Sequence, residues 1–262
     1  MAQGNGARDP WGAGPLEDPL SEGRRLVAGT ASSGLTVRLM GGVAVCMQAP
    51  SGSMLPPRAI GDIDLVARRG GWRALADSLK KGGYEADDMF NALHGERRML
   101  FYDPVNHRKL DIFVGEFTMC HVIPVAARLD RDPMTIPLAE LLLTKLQIVE
   151  LTDRDLRDIY SLLLHHNVSD GDGSGIEADF VADLCAKDWG LWRSCTATMR
   201  RAQADLPQYS MPVEASQVIG ERLQVLLNRA EQAPKTARWK LRSRVGDRVR
   251  WYDVPEENLP TA

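Results

Sequence analysis

The chain has 262 residues, of which 44% are hydrophobic and 26% charged, and its 32 Lys and Arg against 35 Asp and Glu give a formal net charge of −3. This is the composition of an ordinary soluble globular protein, and it excludes disorder along the whole chain and a protein that coats nucleic acid over its entire surface. The length predicts one large domain or two modest ones.

The N-terminal stretch carries no pattern of a secretory signal. Residues 1–24 are rich in Gly, Pro, Ala and acids and lack a basic stretch followed by an apolar one, so we expect a flexible tail. The 4 cysteines show no CxxC spacing, which favours reduced thiols. No apolar run approaches the roughly 18–20 residues of a membrane-spanning helix, so we predict a cytoplasmic protein with no membrane partner.

The first half of the chain, residues 25–132, alternates short apolar runs with turn residues, as α/β and α+β domains do. A small, apolar stretch over 37–47 contains the pair Gly41-Gly42. The Pro-, Gly- and Ser-rich stretch 49–57 then predicts a loop. The aliphatic run 60–66 predicts a buried strand that carries two acids.

The next elements follow from spacing and turn residues. Apolar residues at helical spacing over 72–79, followed by Lys80-Lys81-Gly82-Gly83, predict a helix with a glycine cap. Residues 98–102 and 110–114 predict two strands joined by a turn through Asp103, Pro104 and Asn106.

The second half changes period. Apolar residues recur every three or four positions, which predicts helices near 138–149, 156–164, 176–187, 192–204 and 214–231. Pro133 and Pro137 bracket a connector between the two halves. We therefore predict an α+β protein with a tail over 1–24, an α/β domain over 25–132 and a C-terminal helical domain over 133–262.

Three acids in aliphatic surroundings suggest a metal site. Asp62 and Asp64 are two residues apart, so on a strand they point to the same face. Two buried carboxylates side by side repel each other unless a cation lies between them. Asp111 has an equivalent setting on a later predicted strand, and oxygen-only ligands favour a hard cation such as Mg²⁺. Each acid alone could equally mark a solvated loop or strand end.

The pair Gly41-Gly42 offers a complementary feature. Glycines let backbone N–H groups approach an anion closely, so the pair could contact phosphate. A tight turn is the favoured explanation of the pair when it is taken alone. The ordered set of glycine pair, Asp-x-Asp and third Asp is harder to explain by structure alone.

This ordered set resembles the polymerase-beta-like nucleotidyltransferase superfamily. The run Arg58-Ala-Ile-Gly-Asp62-Ile-Asp64-Leu65 is similar to that of its AbiEii/MenT-like toxin branch. Further similarity lies in Lys145 of a leucine-rich helix and in the run Arg157-Asp158-Ile-Tyr160 on the next helix. The resemblance spans roughly residues 37–164, and it implies a nucleotidyltransferase-type mixed sheet with flanking helices.

The chain departs from the family pattern in two respects. Residues 43–61 place 19 residues between the glycine pair and Asp62, more than the family usually has. Ile60 stands where Thr is common, and Gly42 replaces the frequent Ser. The longer loop could reshape the nucleotide pocket, whereas neither change removes the predicted metal ligands.

The resemblance implies a division of roles. Asp62 and Asp64 would hold Mg²⁺ on a nucleoside triphosphate, and Asp111 would hold a second ion or accept the proton of the attacking hydroxyl. Lys145 would contact the triphosphate, although a solvated amine is an alternative. Arg58 would contact phosphate or hold the Asp62 strand in place.

Asp158 has three possible roles in this scheme. It could orient Lys145, support substrate contacts, or pair on the helix surface with Arg154 one turn earlier.

The segment Lys235–Arg250 contains seven Lys and Arg against one Asp, a local balance of 7 − 1 = +6, with Trp239 inside it and Trp251 just after it. Cations mixed with aromatic rings suit an RNA acceptor through phosphate contacts and base stacking. The alternative is a solvated surface segment whose tryptophans are buried.

The sequence therefore predicts a Mg²⁺-dependent nucleotidyltransferase that moves a nucleoside monophosphate from a triphosphate to an acceptor hydroxyl. The acceptor would be tRNA or another RNA, in a toxin–antitoxin setting with an antitoxin protein as partner. One alternative is a small, aminoglycoside-like acceptor. An alternative of another class is a module that binds nucleotide without catalysis.

Overall fold

The computed structural model describes residues 11–12, 14–49, 60–170 and 175–254. They form an α+β fold with a mixed five-stranded sheet, as the sequence predicts. The chain divides into two compact units: Met1–Ala44, Ala59–Glu116 and Val125–Ile136 form the first, and Val45–Arg58, Phe117–Pro124 and Pro137–Ala262 form the second. Within the described ranges, no helix is both long and apolar enough to cross a membrane.

The larger elements of the first unit begin with a helix and include the whole five-stranded sheet. In chain order they are α1 (Pro19–Ser32), β1 (Val37–Met40), α2 (Gly41–Gln48, which continues into the second unit), β2 (Ile63–Ala67), α3 (Trp72–Lys81), β3 (Glu85–Ala86), α4 (Asp88–His94), β4 (Arg98–Asp103) and β5 (Arg108–Val114).

The strand order of the sheet is β1-β2-β5-β4-β3. The central pair β2 and β5 is parallel, whereas β1 pairs with β2, β4 with β5, and β3 with β4 in antiparallel orientation. The predicted turn between β4 and β5 is present, and the two strands that it connects form a hairpin.

The register separates the two faces of the sheet. Leu39, Leu65, Ile112 and Met99 lie side by side across four strands, and each side chain is fully buried. Because strand side chains alternate between faces, the adjacent row of Met40, Asp64, Asp111 and Leu100 lies on the opposite face. One face is therefore an aliphatic core, and the other carries the acids.

The described residues before α1, which are 11–12 and 14–18, pack against the first unit, so the expectation of a flexible tail is wrong for them; residues 1–10 and 13 lie outside the described residues. Trp11 is buried, and Arg25 donates a hydrogen bond of 2.6 Å to its carbonyl oxygen. A Cβ atom at Gly29 or Gly82 would lie 2.6 or 2.5 Å from the Trp11 ring, so the two glycines make room for it. The helix α1 begins at Pro19, with Asp18 as its N-cap.

The second unit is mainly helical, as the sequence predicts. Its elements are β6 (Phe117–Thr118), β7 (Val122–Ile123), α5 (Leu138–Leu146), α6 (Asp153–His165), β8 (Val168–Ser169), β9 (Ile176–Glu177), α7 (Ala178–Lys187), α8 (Trp189–Asp205), α9 (Val213–Gln232) and α10 (Ala237–Ser243).

The helices of the second unit pack around a common apolar core. Tyr160 of α6 is fully buried, and its hydroxyl donates a hydrogen bond of 2.7 Å to the carbonyl oxygen of Ala202 in α8. This hydrogen bond gives the buried hydroxyl a partner inside the core and links α6 to α8.

The predicted domain boundary at residues 132–133 agrees only in part with the observed division of the chain into two units. The last segment of the second unit begins at Pro137, inside the predicted connector. Residues 45–58 and 117–124, however, also belong to the second unit. A split along the chain is therefore too simple, because segments distant in sequence fold together.

Candidate active site

The site residues predicted from sequence belong to both units. Gly41, Gly42, Asp62, Asp64 and Asp111 lie in the first unit, and Lys145 and Asp158 lie in the second. Arg58 and the predicted loop over 49–57, apart from residue 49, lie outside the described residues.

Gly41 and Asp64 are in direct contact. Strand β1 ends at Met40 and α2 begins at Gly41, whose φ of +61° is in the left-handed region that favours glycine. A Cβ atom at Gly41 would lie 1.9 Å from Oδ2 of Asp64, so only glycine leaves room for this carboxylate. The carboxylate therefore lies at the first residue of α2, where the helix dipole favours negative charge.

Asp64 and Asp111 are neighbours in register across the parallel pair β2 and β5. Asp64 is half-buried, whereas Asp111 is 5% exposed. Strand pairing therefore places Asp111 beside Asp64, and the prediction that both acids bind one ion stays a prediction. Gly42, in the first turn of α2, is buried.

Asp111 is bound by two cations that the sequence analysis did not identify. Arg98 of β4 donates from Nε to Oδ1 at 2.9 Å and from Nη2 to Oδ2 at 2.6 Å. Lys109 Nζ lies 3.4 Å from Oδ2 of the same carboxylate. The guanidinium of Arg98 also lies over the Phe113 ring, 5.2 Å from its centroid. These contacts fix the orientation of Asp111 through a bidentate, charge-assisted pair.

Asp62 lies outside the strand, contrary to the predicted run over 60–66. Pairing between β2 and β5 begins at Ile63 with Leu110, and Asp62 is exposed. The ladder with β5 stops at Ile63 although β5 itself begins earlier, at Arg108. Asp62 and Asp64 are therefore not two buried acids of one strand.

The donor chemistry of this face fits a hard cation, although the predicted group of three ligands is not formed. The described residues contain no group of three or more His, Cys, Asp or Glu side chains that could hold a metal ion. Mg²⁺ is usually bound by one or two carboxylates, and its remaining ligands are water and substrate phosphates. Asp64, beside Gly41, and the exposed Asp62 are carboxylates of the kind that such a site uses, and their binding of Mg²⁺ stays a prediction.

Lys145 lies between two acids of the second unit. Its Nζ is 3.0 Å from Oδ1 of Asp155 and 2.9 Å from Oδ2 of Asp158, and the Lys145 side chain is only 13% exposed. Of the three roles considered for Asp158, the contact with Lys145 is therefore present. The predicted contact between Lys145 and a triphosphate remains a prediction.

Asp155 is the residue of this cluster that sequence reasoning missed. Its side chain completes the capping box of α6, because Oδ2 accepts from the backbone N–H of the N-cap Thr152 at 3.3 Å and from the Thr152 hydroxyl at 2.6 Å. Burial alone would raise the pKa of Asp155, but the Lys145 ammonium and the Thr152 hydroxyl bring that pKa below its ordinary value. A Thr followed three residues later by an acid was the signal available in the sequence.

The tryptophans in and just after the basic segment pack against helix α8 of the same unit. Trp239 packs edge-on against Trp192, with ring centroids 5.1 Å apart, and Trp251 packs against Trp189 at 6.2 Å. Both rings are half-buried. The alternative in which the tryptophans serve packing is therefore correct for these rings.

Comparison of the chain with family models, curated proteins and solved structures finds no match.

Proposed function

We propose that the chain is a Mg²⁺-dependent nucleotidyltransferase of the polymerase-beta-like type. The observation that carries the proposal is the contact between Asp64 and Gly41 at the start of α2. It places a carboxylate beside the glycine at which a helix begins. The two features together suit a cation that is bound to phosphate. Asp111, in register beside Asp64, adds a second carboxylate to the same face.

The residues of the first unit have separate roles in this proposal. Asp62 and Asp64 would hold Mg²⁺, which supplies neutralisation of the triphosphate charge when bound. The backbone N–H groups at Gly41 and Gly42 would face the phosphates, because glycine allows close approach. Arg98 and Lys109 would orient Asp111 and add positive charge near the leaving pyrophosphate.

In the proposed reaction, an acceptor oxygen attacks the α-phosphorus and forms a new P–O bond. The bond from that phosphorus to the pyrophosphate oxygen breaks, and pyrophosphate leaves. The hydroxyl proton passes to Asp111, the candidate acceptor on this face. Most of the catalysis in such a transfer is positioning and charge neutralisation, which matches a site built of acids, cations and glycines.

Transfer can be tested with α-labelled triphosphates, Mg²⁺ and extracts of cellular RNA and metabolites. We expect labelling by the wild-type chain and at least a hundredfold loss in Asp64→Asn. Asp77→Asn is the matched control, because Asp77 is an exposed acid on α3 of the same unit. Equal labelling by wild type and Asp64→Asn would contradict the proposal.

The same experiment separates the two acceptor classes. Label in RNA would support an RNA acceptor, which the cations of 235–250 favour, and label in small metabolites would support an aminoglycoside-like acceptor. Tight binding of Mg²⁺–nucleotide by titration calorimetry, without pyrophosphate release for any acceptor, would favour a binding module.

A toxin role in the cytoplasm is a further part of the proposal. Production of the wild-type chain should then arrest growth, whereas production of Asp64→Asn should not. An antitoxin partner would relieve the arrest when it is produced with the wild-type chain. Harmless accumulation of folded wild-type protein would contradict this role.

A further inference from the structure

His121 is a buried histidine in the turn between β6 and β7 of the second unit, and it is 8% exposed. Its backbone N–H donates a hydrogen bond of 2.7 Å to Oε1 of Gln147, a fully buried residue directly after α5. A Cβ atom at Gly190 would lie 3.3 Å from Cε1 of the His121 ring. The backbone of His121 is therefore held in place, and its ring lies against the first turn of α8.

The ring of His121 is linked to the segment after the basic stretch through one hydroxyl group. His121 Nε2 lies 2.8 Å from Oγ of Ser194, a residue of α8 that is 3% exposed. The indole Nε1 of Trp251 donates to the same Oγ at 3.1 Å. Because an indole N–H can only donate, Oγ accepts from it and can give its own proton to Nε2 of a neutral His121. The three side chains then form a continuous chain of hydrogen bonds.

Backbone contacts hold the same segment beside His121. The N–H of Asp253 donates to the carbonyl oxygen of Cys120, the residue before His121, at 3.0 Å. The carbonyl oxygen of Trp251 would lie 2.5 Å from a Cβ atom at Gly190, so only glycine allows this close approach. Residues 251–253 therefore contact both the turn that carries His121 and the helix against which its ring lies.

Charged groups face this contact from several elements. Asp188 is the N-cap residue of α8, and Asp253 belongs to the segment itself. Arg193, further along α8, lies 5.4 Å from the centroid of the Trp251 ring. Glu150, between α5 and α6, acts on the cysteine that precedes the histidine.

The protonation of His121 reflects the balance between burial and these acids. Burial lowers the pKa of His121 below its ordinary value of 6.5, and the charges of Asp188 and Asp253 oppose this effect only in part. The folded chain therefore holds a neutral ring at neutral pH.

We propose that His121 is a pH switch that holds residues 251–254 against α8 while its ring is neutral and releases them when the ring is protonated. An imidazolium donates from both ring nitrogens, so Nε2 no longer accepts a proton from Ser194. It also places a positive charge in a buried site. Release of a short segment exposes the ring to water and breaks fewer contacts than unfolding of the helices would.

The direction of the pH dependence follows from the lowered pKa. The closed form is fully stable above about pH 6.5, the ordinary pKa of histidine. Its stability falls as the pH drops from there through the folded pKa of His121, and it levels off below that pKa. All the residues of the switch belong to the second unit, so it does not depend on the proposed transfer reaction.

Hydrogen exchange of the Asp253 amide measures the release in the full chain, by NMR between about pH 7.5 and about pH 5. Each rate is divided by that of an unstructured peptide at the same pH, because intrinsic exchange also depends on pH. We expect the protection of this amide to fall on acidification by about tenfold for each unit by which the pKa of His121 lies below 6.5.

His121→Gln removes the titrating group, so the protection of the Asp253 amide should change by less than about twofold over the same pH range. His94→Gln is the matched control, because His94 is an exposed histidine on α4 of the first unit, and it should behave as wild type does. Constant protection in wild type, or an equal fall in wild type and His121→Gln, would overturn the proposal.

A titration of the His121 ring by NMR keeps the test valid if His121→Gln does not fold. In wild type the ring should titrate below pH 6.5, and the protection of the Asp253 amide should level off below the ring pKa. Asp253→Asn keeps the backbone N–H but removes one acid that favours the imidazolium, so both changes should move to lower pH. A ring pKa at or above 6.5, or a ring pKa that Asp253→Asn leaves unchanged, would overturn the proposal.

Discussion

The close contact between Gly41 and the Asp64 carboxylate leaves no room for a side chain at position 41. A methyl group at Gly41 meets the Asp64 carboxylate and also forces an L-residue into a φ of +61°. We predict that Gly41→Ala lowers the free energy of unfolding by about 1–3 kcal/mol and displaces the carboxylate. Transfer activity should therefore fall at least as far as in Asp64→Asn, as measured with α-labelled nucleotide.

Gly34 provides the matched control for this substitution. Its φ is +73°, and a Cβ atom there would have no neighbour within 4 Å. Gly34→Ala therefore reports the backbone strain without the clash, and transfer activity should stay near that of wild type. An equal loss of activity in the two variants would show that backbone strain, and not the carboxylate, is responsible.

The pair of Arg98 and Asp111 gives a second prediction for single residues. The Arg98 side chain is 24% exposed and that of Asp111 7%, so the pair is only partly screened by solvent. We expect Arg98→Gln to lower the free energy of unfolding by about 2 kcal/mol, because a charged hydrogen-bonding group loses its partner. Urea unfolding of Arg98→Gln, Asp111→Asn and the double variant should give a coupling of about 1–2 kcal/mol. Additive losses would contradict a direct interaction.

Some of these side chains could be predicted from the sequence and others could not. Lys109 is two residues before Asp111 on one strand, so alternation places both on the same face. Arg98 belongs to another strand, and its contact depends on the register between β4 and β5, which no local pattern specifies. The same holds for Asp62, whose place outside the strand depends on where pairing with β5 begins.

The start of α6 combines a helix cap with an ion pair. Thr152 and Asp155 form a reciprocal capping box, and Asp155 also binds Lys145 of α5. We predict that Thr152→Ala lowers the free energy of unfolding by about 1 kcal/mol. Thr118→Ala serves as the control, because Thr118 is an exposed threonine of β6 that caps no helix. Urea unfolding measures both variants, and equal losses would contradict a specific cap.

The lowered pKa of Asp155 makes the stability depend on pH. A carboxyl whose folded pKa lies below its ordinary value of 3.8 stabilises the fold above pH 3.8, and this stabilisation is lost as the pH falls through the folded pKa. Asp155→Asn removes this contribution. The variant should therefore lose less free energy of unfolding than wild type between pH 5 and about pH 3 in urea titrations, and an equal or larger loss would contradict the assignment.

The helices were the most predictable elements because their apolar residues recur at a period that sequence alone displays. All five predicted helices of the second half are present, with bounds shifted by a few residues. The sheet was predictable in its strands but not in its order, since the parallel pairing of β2 with β5 joins residues 47 positions apart, Asp64 and Asp111. Such pairing is chosen by tertiary contacts rather than by propensity.

At the scale of the whole molecule, the segment before α1 is part of the first unit. Trp11 is 6% exposed and contacts Arg25, whose guanidinium lies 5.2 Å from the ring centroid. We predict that Trp11→Ala lowers the free energy of unfolding by about 3 kcal/mol through the cavity it leaves. Leu16→Ala is the control, because Leu16 is 44% exposed. Thermal or urea unfolding of the two variants checks the prediction, and an unchanged Trp11→Ala would contradict the packing.

The amino-acid composition of the segment before α1 does not indicate that this segment is packed. Its many glycines and prolines are typical of a flexible tail. Trp11 nevertheless packs against Gly29 and Gly82, two glycines that lie outside the segment. The division into two units was likewise hidden, because residues 45–49 and 117–124 belong to the second unit although the residues around them in sequence belong to the first. Near-neutral net charge concealed the uneven distribution of cations in the same way.

The central strand pairing also has a consequence for the order of folding. Strands β4 and β5 form a hairpin, so Arg98 can reach Asp111 early, through contacts close in sequence. Strand β2 must then close a long loop and bring Asp64 beside Asp111. Without Arg98, only Lys109 would offset the repulsion between the two carboxylates during that closure. We therefore expect the hairpin to lower the barrier to the parallel pairing of β2 with β5.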